Sequence, residues 1–441
     1  MRDVPITVVG GRGPHGLALH LWLADRGLAG CAALVDPAPH WLPTYDDAGP
    51  ARATVHLRSP RELDFALGDP SRSMTCWRDA DGSRPLADVY CLGEAEDPHA
   101  NATVAPSRRV GRHAFWRYAN DVARRSGADQ HVREARVERL VPAGDRWLVH
   151  LDDGDTFRTA VVLLASGIVP HLRLPEPWRA WWCHLPPERA THALAASLDD
   201  ASLPGSSVAI LGSSNAATWE LACAAARRGA AVTIVCRRGA TIERQLPFDP
   251  AWFRTETMRA FIAQDPKVRL RTLKKTHIPR STLPGSTRRA AALGVRVLPF
   301  ARVRFATPLW GGIQLQWADA RGERAERFDR VWASTGVEPR PRALPFMRDA
   351  VGGGRGPVVI GGPARHLPVM DDAGRWKGMP PLYPLGHLAL PRCGLAAATL
   401  ASAGRYLPLL MDDVLADAGI DPGARAMRPA PDPLIPLEDA A

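Results

Sequence analysis

Residues 6–36 read ITVVGGRGPHGLALHLWLADRGLAGCAALVD, and their pattern decides the fold. An apolar run, Ile6 to Val9, meets a turn of small residues. A second apolar run of helical length follows, and a third ends in Asp36. The turn carries Gly11, Gly13 and Gly16 in the order G-x-G-x-x-G. In such a turn the first glycine permits the tight bend. The second lets backbone N–H groups approach a pyrophosphate, and the third lets the helix lie close to the strand. The helix N-terminus adds partial positive charge beneath the phosphates. An acid at the tip of the next strand accepts hydrogen bonds from a free ribose diol. Gly11, Gly13, Gly16 and Asp36 are thus the candidate residues of a site for an unphosphorylated dinucleotide.

A second unit of the same kind spans residues 207–238, SVAILGSSNAATWELACAAARRGAAVTIVCRR. From Gly11 to Asp36 is 25 residues, and from Gly212 to Arg237 is also 25. On that spacing, Ser214 and Ala217 stand where glycines are usual, and Ser213 or Ser214 can bond phosphate oxygens. The second strand ends in Arg237 and Arg238, and a guanidinium is a natural bidentate partner for a 2′-phosphate. Gly212, Ser213, Ser214, Asn215, Arg237 and Arg238 are therefore read as an NADPH site. An acid-tipped and an arginine-tipped unit in one chain point to a flavoprotein that passes a hydride from NADPH to FAD.

The rest of the chain supports an α/β protein with two Rossmann-like dinucleotide-binding domains, the NADPH domain inserted into the FAD domain. Residues 41–105 are irregular and rich in Pro, Gly and Asp. Residues 112–126 predict an amphipathic helix with Phe115, Tyr118, Ala119 and Val122 on one face. Short strands joined by Gly- and Asp-rich turns follow, ending in VVLLAS at 161–166. The segments LLASGIVP (163–170) and WASTGVEP (332–339) resemble each other, and each closes the stretch that one turn opens. The expected organisation is a first part of the FAD domain over 1–203 and a self-contained NADPH domain over 204–340. The FAD domain then resumes over 341–441, with a loose tail from about residue 428.

Composition narrows the function. The 441 residues suffice for two or three well-buried domains. Lys and Arg number 56 against 46 Asp and Glu, a net charge of +10. The arginines are spread along the chain, and the densest patch, Lys267 to Arg289, is broken by prolines and lacks aromatics. It reads as solvated surface rather than a nucleic-acid platform. The seven cysteines include no C-x-x-C pair, which fits a reducing compartment and a cytoplasmic protein. No run of 18 uncharged apolar residues suggests a membrane helix, and a first strand beginning by Ile6 leaves no room for a leader. Histidines at metal-ligand spacing and a G-x-S-x-G elbow are both lacking. Trp181 and Trp182 read as a packed aromatic pair.

At many ordered positions the chain resembles the class B flavin-dependent monooxygenases, particularly the bacterial group related to lysine and ornithine N-hydroxylases. The resemblance runs through both turns and both Gly-ended strands. It continues in VHLRSPRELDF (55–65), PSRRVGRHAFWRY (106–118), RRGATIERQLPFDPAWF (237–253) and the closing run 367–405. It implies FAD at Gly11, Gly13, Gly16 and Asp36. It sets His56, Leu57 and Arg58 beside the isoalloxazine, with His56 and Arg58 as the catalytic candidates. Arg109 and Phe115 would border the FAD domain, Arg109 as a cofactor residue. Gly386 and Gly394 would mark the final strand end and a helix start whose dipole stabilises negative charge on reduced flavin. His192 sits where the family often has a histidine, and a structural role for it is favoured. The activity implied is an NADPH-oxidising monooxygenase. It would form a flavin hydroperoxide from molecular oxygen and oxygenate a small nucleophile, an amine nitrogen (N-hydroxylation) foremost, as a possible homo-oligomer. The chain lacks the F-x-G-x-x-x-H-x-x-x-W/P motif of Baeyer–Villiger enzymes and the fuller pattern of true ornithine and lysine hydroxylases around His56, so the substrate stays open. An NADPH-dependent flavin oxidoreductase without oxygenation and a non-catalytic flavin-binding sensor remain as alternatives.

Overall fold

Strand Arg2–Val9 is central to the first sheet because it is apolar on both faces, with Ile6 and Val8 fully buried. The computed structural model describes residues 1–46, 56–60, 63, 65–68, 72–74, 77, 109–168, 172–213, 216–239, 241–244, 246, 248–276, 281–338, 344–352 and 367–421. In sheet order the first sheet runs Val132–Arg133, Ala32–Val35, Arg2–Val9, Thr156–Leu164, Arg146–Leu151 and Val137–Ala143. Leu382–Pro384 pairs with Thr156–Leu164 as well. The strands around Arg2–Val9 are parallel, with Val9 opposite both Val35 and Leu164. The last two form the antiparallel meander that the Gly- and Asp-rich turns predict. Helix Pro14–Ala24 starts on a proline, whose missing N–H costs nothing at that position. Its residues Gly16 to Leu23 are all buried, so it is a core helix rather than an amphipathic one. Helix Arg112–Arg125 buries Phe115, Tyr118, Ala119 and Val122, the face read from the sequence.

The second sheet is wholly parallel, in the order Arg296–Leu298, Ala231–Val235, Ser207–Leu211, Arg330–Ala333 and Ala190–His192. Side chains alternate across it, as strand geometry requires. Val208, Ile210, Val232 and Ile234 pack with Trp219 and Ala222 of helix Ala216–Arg227. Ala209, Leu211 and Val235 pack with Ile313, Leu315 and Trp317. Those three belong to an antiparallel sheet of strands Arg302–Leu309, Gly312–Asp319 and Gly322–Phe328.

Two features depart from a self-contained insert over 204–340. The edge strand Ala190–His192 lies upstream of residue 204, and Trp181 and Leu185 pack against this sheet. Further on, Leu246, Phe248, Trp252, Phe253, Met258 and Phe261 pack with Phe115, Tyr383 and Tyr406 in the core of the first unit. That apolar run follows the strand tip and is buried there. The chain leaves and returns through a short parallel pair, Ile242–Glu243 with Ser281–Thr282. A second neck is the antiparallel bridge Leu172 to Val337, where Arg173 N donates to Gly336 O at 3.0 Å. Past it, Leu344 and Met347 rejoin the first sheet beside Val137 and Trp147. Among the described residues, no helix is long and apolar enough to cross a membrane.

Candidate functional site

The first turn is built by close backbone approach. Gly10 and Gly11 N donate to Val35 O at 3.0 and 3.2 Å. Gly10 has φ +81, and a Cβ there would sit 2.6 Å from Ala165 O. A Cβ on Gly16 would lie 2.0 Å from Gly11 O, so only glycine lets the helix seat this close. Gly13 differs. The nearest protein atoms to its Cβ would be Gly10 O at 3.4 Å and Ala165 O at 3.9 Å. Among the described residues other than its chain neighbours, no other atom comes within 4 Å of that point. This cradle suits a pyrophosphate at the N-terminus of helix Pro14–Ala24. Asp36 is buried at the adjoining strand tip. Its Oδ2 accepts from Arg12 N at 3.1 Å and its Oδ1 from Ala38 N at 2.9 Å. Burial raises its carboxyl above the usual carboxylate range, and the two amides and the Arg12 charge offset this in part.

The closing segment meets this turn. A Cβ on Gly386 would lie 3.1 Å from the His15 ring, and Gly386 N donates to Tyr406 Oη at 2.8 Å. The His15 and Tyr406 rings stand 5.8 Å apart, tilted. Burial lowers the His15 imidazole to about 4, with a backbone hydrogen bond at Ala397 opposing, so it is neutral at pH 7. Gly394 departs from expectation. It closes the four-residue helix Leu390–Cys393 and opens a four-residue 3₁₀ turn, Leu395–Ala398. Such short turns sum few peptide dipoles, so the dipole argument for Gly394 loses its basis. A Cβ on Gly394 would lie 2.2 Å from Trp252, which makes it a packing glycine between two segments.

The hairpin of His56–Pro60 with Arg109–Gly111 pairs His56 with Gly111 and Pro60 with Arg109 through the backbone. Leu57 and Phe115 share one buried cluster. Arg58 is half-buried, and its guanidinium crosses to the first neck. Nη1 donates to Ser281 O at 3.0 Å, and Nη2 to Arg244 O at 3.0 Å and Ser281 Oγ at 2.8 Å. Burial lowers it to about 10. These bonds make Arg58 a clamp between segments.

The second turn repeats the first, but one residue out of step with the sequence spacing. Gly212 N donates to Val235 O at 2.9 Å, its φ is +120, and a Cβ would sit 2.4 Å from Ser334 O. Gly212 is therefore the counterpart of Gly10, not of Gly11. Leu211 lies opposite Val235 as Val9 lies opposite Val35, so Cys236 takes the position of Asp36. The helices begin in step as well, at Pro14 and Ala216. The equivalent spans are 26 residues, 10 to 36, and 24 residues, 212 to 236. The matched spacing of 25 joined positions that are not equivalent. Cys236 is buried and hydrogen-bonds the Ser213 side chain, and burial pushes its thiol up. Ser213 O accepts from Trp219 Nε1 and Thr241 Oγ1, both at 3.2 Å. Arg237 and Arg238 follow on the exposed tip. Ser214 and Asn215 lie outside the described residues.

His192 has the structural role expected of it. Nδ1 accepts from Leu194 N and Nε2 donates to Gly336 O, each at 3.2 Å. Trp181 is buried, 5.7 Å from Trp182 and 5.8 Å from Trp178, ring to ring. Sequence reasoning passed over Arg12, His15 and Tyr406. Arg12 did carry a signal, a long cation between two glycines whose role is close approach. His15 and Tyr406 carried none, because their pairing is a long-range contact.

Residues 7–169 match the profile of a family described as FAD-NAD(P)-binding. No curated protein matches the sequence. Among solved structures, the reduced form of an ornithine hydroxylase from Pseudomonas aeruginosa superposes with TM-score 0.71 at 17% identity, covering 94% of this chain and 99% of that one. An FAD-bound cadaverine monooxygenase of desferrioxamine biosynthesis from Erwinia amylovora gives 0.70 at 15%, covering 97% and 99%. A bacillithiol disulfide reductase from Bacillus cereus gives 0.55 at 15%, covering 91% and 99%. The chain has the FAD/NAD(P)-binding fold of the class B flavin monooxygenases.

Proposed function

We propose that the chain holds FAD at the first turn and NADPH at the second, and with them oxygenates a small nucleophile, an amine nitrogen foremost. The observation that carries this reading is the contrast at one register position, Asp36 in the first sheet against Cys236, Arg237 and Arg238 in the second. A carboxylate suits a free ribose diol and repels a 2′-phosphate. A neutral buried thiol followed by two exposed guanidinium groups suits the phosphate.

When bound, FAD would supply hydride acceptance from the nicotinamide and the activation of oxygen. The chain's own residues position and enclose it. Gly11, Gly13 and Gly16 shape the turn that would bring the pyrophosphate to the start of helix Pro14–Ala24, and Asp36 would take the ribose hydroxyls. Neutral His15, packed on Gly386 and Tyr406, closes the turn against water without adding charge. His56 and the backbone at Arg109 border the ring, and Arg58 fixes their hairpin to the segment that follows the second strand tip. Gly212 and Ser213 shape the second turn, with Ser214 and Asn215 proposed alongside. We divide the chain into a first part, an inserted NADPH unit and a C-terminal return. The insert begins near Leu172, where the chain crosses, rather than at residue 204. We propose a cytoplasmic location, which the scattered cysteines support.

The test is anaerobic reduction of the FAD-loaded protein by NADPH and by NADH, followed by admission of oxygen with a panel of diamines and thiols. Faster reduction by NADPH and substrate-dependent oxygen incorporation support the reading. A second reading, a flavin oxidoreductase that does not oxygenate, is favoured by the fold's likeness to a disulfide reductase. Reduction by NADPH with all oxygen recovered as hydrogen peroxide for every substrate would select it.

A further inference from the structure

Arg12 sits inside the first turn and is 6% exposed. Its backbone is pinned on both sides, with N donating to Asp36 Oδ2 at 3.1 Å and O accepting from Leu42 N at 2.9 Å. Its Nη2 lies 3.6 Å from Glu134 Oε2, a carboxylate that is itself largely exposed. Its Nε and Nη1 are buried and have no hydrogen-bond partner among the described residues. Buried guanidinium donors without a partner are rare in folded proteins, and each asks what satisfies it.

We propose that Arg12 is a ligand of the dinucleotide at the first turn, with Nε and Nη1 donating to oxygens of its adenosine-diphosphate half. This rests on the reading of that turn as an FAD site. Three observations converge on it. The residue stands between Gly11 and Gly13, where a long side chain has no packing reason to be. Its charge lies against Asp36, the residue that faces the ribose. Nε and Nη1 point to different sides of the guanidinium, so each is a separate donor for an oxygen of a ribose–phosphate unit. The Glu134 contact is to Nη2 and leaves Nε and Nη1 open. Arg12 is a binding residue and takes no part in the chemistry of the flavin ring.

The experiment uses the full chain stripped of cofactor and titrated calorimetrically with FAD, ADP and FMN, with Tm recorded for each variant. Arg12→Gln is expected to weaken FAD and ADP in parallel, by about 10- to 100-fold. FMN, which lacks the adenosine half, should bind it as it binds wild type. Arg12→Lys keeps the charge without the fork and should fall between. Glu134→Gln should leave ADP affinity within about two-fold, because its contact is with Nη2 and not with the two ligand donors. Wild-type ADP and FAD affinity in both Arg12 variants would overturn the proposal, as would equal loss of FMN and ADP. If Arg12→Gln does not fold, Arg12→Lys and Glu134→Gln decide. Wild type that takes up neither FAD nor ADP would instead sink the FAD reading itself.

Discussion

Gly13→Ala separates a cofactor site from an empty Rossmann turn. The backbone at Gly13 has φ −75 and ψ 169, an extended conformation open to any L-residue. A methyl there would make ordinary contact with Gly10 O at 3.4 Å and meet nothing closer. The cofactor-free protein should therefore tolerate it. Gly→Ala at a compatible site stabilises by about 0.4–1 kcal/mol through the unfolded chain. The bound state should not tolerate it, because the methyl occupies the surface a pyrophosphate must approach. Losing two charge-assisted N–H···O bonds at about 1.5–3 kcal/mol each is worth at least roughly 100-fold in Kd. Gly16→Ala is the contrasting case. Its Cβ would fall 2.0 Å from backbone oxygen, so the turn must open and the stripped protein itself should lose about 1–3 kcal/mol. The assay is Tm of the stripped proteins with FAD titrated by fluorescence quenching. Gly13→Ala with unchanged Tm and wild-type FAD affinity would refute the idea that this face carries the phosphates.

Replacing Arg237 and Arg238 together with alanine should cut the preference for NADPH over NADH by about 10-fold or more, leaving NADH kinetics alone; unchanged preference in steady-state assays removes the second site from NADPH binding. Arg58→Ala should raise amide hydrogen exchange at Ile242–Glu243 and Ser281–Thr282, since three hydrogen bonds to the neck are lost; unaltered exchange there would mean the clamp is idle. Asp36 has a raised folded value, so the native state holds its proton more tightly than the unfolded chain. Stability of the stripped protein should therefore rise as pH falls through the window just above the ordinary carboxylate value, and Asp36→Asn should flatten that slope in urea titrations. His192 has a lowered value and is held neutral by burial, so its contribution is present above the ordinary histidine value and lost as pH falls below it. Urea midpoints at pH 7.5 and 5.5 should converge in His192→Asn, and an undiminished gap would assign the effect elsewhere.

The fold was legible because the first unit obeys every local rule at once. A strand apolar on both faces, three glycines with distinct duties and an acid at the strand tip leave one architecture open. The amphipathic helix around Phe115 and the antiparallel meander before Gly167 follow from periodicity alone. The second unit was harder. Its helix-to-strand connection, residues 228–230, is shorter than residues 25–31 of the first. Counting from the wrong glycine compensated for the difference, and only strand register could show that Cys236 takes the position of Asp36. The destination of the apolar run 246–261 was hidden for another reason. Such a run announces burial but not where, and here its partners lie more than 100 residues away, at Cys393, Leu395 and Tyr406. Gly394 looked like a helix start and is a notch for Trp252, which no local pattern encodes.

The two necks have a mechanical consequence. A body joined to another by a single stem can swing and twist in any direction. The second sheet is tied at two separate places, at Leu172 with Val337 and at Ile242–Glu243 with Ser281–Thr282, four chain crossings in all. Bodies pinned at two points keep one easy rotation, about the line through the pins. Arg58 grips one pin through Ser281 and Arg244, and His192 grips the other through Gly336. Any movement of the second sheet relative to the first would therefore be steered about that line and would return the second turn along the same path.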